Sequence, residues 1–240
     1  MGGKDIISYK YVFKFENGEE KTLDIQLDPA NLNLLPKRRD KIPEWTLLGY
    51  SKCAVCPYSE ATQNCCPIAL NLADLIETFS DKASYEKVEA RVITGEREYL
   101  KRTTLQEALS SAIGIYMVTS GCSVMNILKP MVRHHLPFAS LDETMTRTVS
   151  IYLMGQYFLK QKGAEPDWDL KKLLQAYEKI EALNKAIVER FRNASAKDAN
   201  YNALIILDVF AKLVPVTIGA ALSKKSLRFS EWAVEWAIGE

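Results

Sequence analysis

Four cysteines stand close together in the chain: Cys53 and Cys56 form a C-x2-C pair, and Cys65 and Cys66 are adjacent, just ahead of Pro67. Tetrahedral thiolate ligation at ~2.3 Å needs sulfurs roughly 3.8 Å apart, and a turn with two intervening residues sets a cysteine pair at about that spacing. The residues between Cys56 and Cys65 are mostly small and polar, so the chain can return onto the same ion. Pro67 suits the first position of a helix. That places Cys66 at the N-cap, where unpaired N–H groups and the helix dipole favour an anionic sulfur. Cys53, Cys56, Cys65 and Cys66 are therefore the expected ligands of a metal centre.

Adjacent side chains diverge, so Cys65 and Cys66 need not both face one ion. Cys122, His134 and His135 are the other soft or imidazole donors available to complete the set. As plain structure, Cys122 is a small buried hydrophobe, and the histidine pair caps a helix C-terminus. Zinc and an iron–sulfur cluster both accept four thiolates, so ligand type does not separate them. Cys-Pro occurs twice, at Cys56-Pro57 and Cys66-Pro67, as a ligating cysteine does in the bacterial ferredoxin pattern; the C-x2-C-x2-C of that pattern is missing. A closed zinc site needs no redox partner. Structural zinc in a binding or regulatory protein is thus the first expectation, and an iron–sulfur or dithiol redox protein the second.

A third expectation is an enzyme. Glu143 and Arg147 are four residues apart on a polar helix face and can pair, and Lys129, Arg133, His134 and His135 can meet Arg147 to bind an anion. The chain lacks G-x-S-x-G, P-loop, G-x-G-x-x-G and H-E-x-x-H motifs, and any histidine-based catalysis has to use His134 or His135.

The elements that must position these residues are legible from periodicity. Residues 7–15 and 20–27 alternate apolar with polar around Asn17-Gly18, the pattern of a β-hairpin. Residues 28–43 carry three prolines and a KRRDK run and form a connection. A helix is predicted over 68–79, and a second hairpin over 86–94 and 97–103.

From Thr104 the chain reads as helical. Thr104 with Glu107 makes a capping-box pattern for a helix to about Val118, and Ser120 or Ser123 starts a run limited by Pro130 and Pro137. A helix from Ser140 or Asp142 to Lys162 follows, then one from Asp167 to about Asn193, and one from Asp198 to Leu222 that Pro215 kinks or divides. Methionines through these helices are expected to fill core gaps. The fold class is therefore α+β: hairpins forming a small antiparallel sheet over 1–103, with the cysteine loop and one helix inserted, then a helical bundle over 104–240.

Lys and Arg total 31 against 30 Asp and Glu, so no global field points to nucleic acid or an anionic membrane. The apolar stretch 204–222 is broken by Asp208, Lys212 and Pro215 and reads as a core helix rather than a membrane span. The N-terminus has no apolar leader, and five is an odd number of cysteines, which points to a cytoplasmic protein with free or metal-bound thiols. Trp232 and Trp236 share a face that packs on the bundle or on a second subunit, so a homodimer is one possible assembly; the protein or small-molecule partner is unspecified.

Overall fold

Alternation decides the sheet. Tyr9, Tyr11, Phe13 and Phe15 of β1 (Ile7–Phe15) point into the core, while Ser8, Lys10 and Lys14 face solvent. Strand β2 (Glu20–Leu27) pairs antiparallel with β1 through a turn in which Gly18 takes φ +87°, a value that favours glycine. Strands β3 (Lys87–Ile93) and β4 (Glu98–Thr104) form the second hairpin, and β3 adds antiparallel to β1. The sheet order is β2-β1-β3-β4. The crossover from β2 to β3 contains the whole cysteine segment. The computed structural model describes residues 6–36, 39, 41–194, 202, 211 and 213.

Helix α1 (Pro67–Thr78) buries Ile68, Leu72, Leu75 and Ile76 against the sheet, with Phe79 edge-on to Phe13 at 5.0 Å between ring centres. Each such aliphatic side chain contributes about 1.5–3 kcal/mol when removed from water. Helix α2 (Leu105–Val118) is buried along most of its length. A 3-10 turn (Ser123–Leu128), the short α3 (Lys129–Arg133), α4 (Leu141–Gln161) and α5 (Lys171–Ala194) follow among the described residues. The α+β class holds, and one continuous hydrophobic core joins sheet and helices.

Several boundaries differ from the sequence reading, each for a local reason. Thr104 is the N-cap of α2 but makes no side-chain cap; Glu107 bonds Thr103 instead, and Thr104 Oγ1 is buried with no partner among the described residues. Pro130 opens α3 rather than ending a helix, because its missing N–H costs nothing in a first turn. Ser140 and Glu143 form the full capping box at the start of α4. Helix α5 begins at Lys171, not at Asp167, whose carboxylate accepts from the Lys171 and Lys172 N–H groups across a turn with Leu170 at φ +60°. Met117, Met125 and Met145 are buried as expected, but Met154 is exposed. Of the predicted helix over 198–222 only residues 202, 211 and 213 are described, each as helix, and the Trp232/Trp236 tail lies outside the described residues. Among those described, no single helix is long and apolar enough to cross a membrane.

Candidate functional site

The cysteine loop is shaped by short hydrogen bonds. Cys56 N donates to Cys53 O at 3.0 Å, so the C-x2-C pair closes a turn and the two thiols interact directly. Cys65 and Cys66 diverge. The Cys65 residue forms a β-bridge with Leu47 and is buried there, whereas Cys66 N donates to Thr46 O and the residue becomes the N-cap of α1.

Cys122 reaches the same neighbourhood from far along the chain. Tyr58 Oη donates to Gly121 O at 2.9 Å and accepts from Ser123 N at 3.2 Å, and Asn71 Nδ2 donates to Ser120 O. Gly121, at φ +92°, makes the turn that these bonds hold, and Cys122 becomes the N-cap of the following 3-10 turn.

Cys53, Cys56, Cys66 and Cys122 all line one small cavity of about 20 Å³, roofed by Leu183, Ile187 and Arg190 of α5. Cys65 is not among the lining residues; neither is His134 or His135, which line a separate cleft. No group of three His, Cys, Asp or Glu side chains among the described residues is close enough, as placed, to hold a single metal ion.

Arg190 is the residue the sequence reading missed. It is only 1% exposed. Its Nη1 donates to Trp45 O and Leu47 O at 2.6 Å, and its Nη2 to Leu48 O and Ser51 O. Its Nε has no partner among the described residues, and none of their carboxylates lies within ion-pair distance. A charged residue in the amphipathic stretch 171–194 gives no sequence signal that it turns inward.

The electrostatics are those of buried and half-buried thiols beside a buried cation. Burial pushes the Cys53 thiol up to about 11, and the neighbouring Cys56, Cys66 and Cys122 add to the rise. Burial also raises Cys66, opposed by the Ala69 N–H, Arg190 and the Ile68 N–H. Cys122 rises for the same reason, against the N–H of Val124. Desolvation lowers the affinity of Arg190 for its proton, and the nearby thiols work against that. Burial thus raises Cys53, Cys66 and Cys122, whereas a reactive dithiol depends on a depressed thiol pKa.

The polar face of α4 is used differently from the sequence expectation. Glu143 is held in the capping box, so the predicted Glu143–Arg147 ion pair does not form; Arg147 Nη2 donates to Met131 O and His134 O at the end of α3. Tyr152 Oη donates to Asp167, and Gln156 Oε1 accepts from Asp167 N, which ties α4 to the start of α5. His134 is the C-cap residue of α3, in line with the capping alternative.

The chain belongs to the family described as Domain of unknown function (DUF6901), whose model matches residues 7–230. No curated protein and no solved structure matches it.

Proposed function

We propose that this is a metal protein whose centre is held by Cys53, Cys56, Cys66 and Cys122, and that the centre is an iron–sulfur cluster serving a redox role. The observation that carries the reading is a buried arginine with an unpartnered N–H, sharing one cavity with four thiols from three separate parts of the chain. An unpaired buried cation is costly. A protonated thiol carries no charge to offset it, whereas four thiolates around a metal centre would supply the missing negative charge.

Two of the four, Cys56 and Cys66, are followed by proline, as a ligating cysteine is in the bacterial ferredoxin run, which favours a cluster. The gap between the thiols, about 20 Å³, is little more than the ~10–15 Å³ that one water needs and so is ion-sized. With the C-x2-C turn it favours a second reading, in which small thiol rotations close the four sulfurs on structural zinc. A cytoplasmic location is part of the proposal, because all five cysteines are free thiols suited to a reducing compartment.

Anaerobic purification without a metal-affinity tag, followed by visible and electron paramagnetic resonance spectroscopy before and after dithionite, tests this. A brown protein that bleaches on reduction is expected. A colourless protein with one zinc supports the second reading, and a metal-free protein contradicts both.

A further inference from the structure

A second place of chemical interest lies apart from the thiols, where His135, Leu136 and Arg147 form the shared wall of two cavities. One is an apolar cavity of about 180 Å³ between α2, the 3-10 turn, α4 and α5, walled by Ile115, Met125, Met131, Tyr177 and Ile180. The other is an open cleft of about 600 Å³ at the end of the sheet, lined by Tyr9, Tyr99, Arg133 and His134.

The charges at the junction are unbalanced. Arg147 is half-buried and spends Nη2 on two backbone carbonyls; among the described residues neither it nor Arg133 has a carboxylate within ion-pair distance. Arg97, in the same cleft, is paired with Glu96. His135 adds no charge: its Nε2 shares a 2.7 Å hydrogen bond with Tyr11 Oη, and its ring sits edge-on to Tyr9. A half-buried guanidinium in this setting is stabilised by an anion. The adjoining apolar space exceeds the ~150 Å³ cavity that accepts benzene in another protein.

We propose that the two cavities form one binding site for a small monocarboxylate with an apolar body about the size of a benzene ring. The carboxylate sits on Arg147 with Arg133 beside it, and the body enters the space between α2 and α4. This site is independent of any metal at the thiols.

Isothermal titration of the full chain with benzoate and hexanoate, each against benzyl alcohol and hexanol, is the test. Both carboxylates are expected to bind one per chain, about tenfold or more tighter than their alcohols, as a charged hydrogen bond warrants. Arg133→Gln, at an exposed position, weakens the carboxylates severalfold and leaves the alcohols unchanged. Arg147→Gln removes the preference for the charged probe, with circular dichroism reporting whether that variant folds. Carboxylates that bind no better than the alcohols, or not at all at millimolar concentration, overturn the proposal. So does benzoate affinity that is indifferent to Arg133→Gln and to a folded Arg147→Gln.

Discussion

The Arg190 guanidinium and the Cys66 thiol lie on the same cavity and each shifts the other's proton affinity: the cation favours the thiolate, and the thiolate favours the cation. For both groups the dominant influence is burial, which favours the neutral form. A metal on the sulfur reverses that balance. Arg190→Met should therefore cost stability twice over, by stranding the carbonyls of Trp45, Leu47, Leu48 and Ser51 and by removing the charge that offsets the centre. A loss of about 3–5 kcal/mol is expected from denaturant melts of the loaded protein. Arg190→Lys keeps the charge without the planar fork and should fall between the two.

The adjacent cysteines separate ligand from bystander. Cys66→Ser and Cys122→Ser should abolish stoichiometric metal, while Cys65→Ser should retain it, because Cys65 is buried on the bridge to Leu47 and does not line the cavity. Metal content per folded chain is the measurement. Equal loss in Cys65→Ser and Cys66→Ser would remove the proposed ligand set.

Two N-caps that look alike in sequence should respond differently. Ser140→Ala breaks a complete capping box and is expected to cost about 1 kcal/mol. Thr104→Val removes a buried hydroxyl with no partner among the described residues, so it should be neutral or stabilising. Chemical denaturation of the two variants beside the parent decides this.

Burial holds the His135 imidazole neutral and pushes its pKa down to about 3, with Arg147 adding a smaller push in the same direction. The unfolded chain takes up this proton near pH 6.5 and the folded chain does not. Stability from this group is thus complete above pH 6.5 and is lost as pH falls from 6.5 toward 3, at up to about 1.4 kcal/mol per pH unit. His135→Gln should flatten that part of the stability profile by up to one proton. Identical pH slopes in parent and variant would contradict it.

Much of the frame was readable because local physics settled it. Alternation placed the first hairpin, β-rich segments on either side of Gly95 the second, Pro67 placed α1, and Ser140 or Asp142 marked the start of α4. The doubt over neighbouring thiols was also resolvable in principle, since consecutive side chains diverge and one of the pair had to turn away. What stayed hidden depends on long-range packing. Cys122 was named as a possible donor, but Tyr58 and Asn71, which hold the 120–123 turn beside the loop, are partners that nothing near it announces. Arg190 reads as one more charge on an amphipathic helix until the 45–51 carbonyls close around it. Glu143 and Arg147 had the right spacing to pair, but a capping box and two helix-end carbonyls competed more effectively for them.

Elemental and acid-labile sulfide analysis of the anaerobically isolated chain, with Cys122→Ser isolated in parallel, bears most directly on the thiol centre. The account predicts several irons with matching sulfide in the parent and neither in the variant. A parent holding no iron and no zinc, with Cys53, Cys56, Cys66 and Cys122 all open to alkylation in the native state, would contradict it.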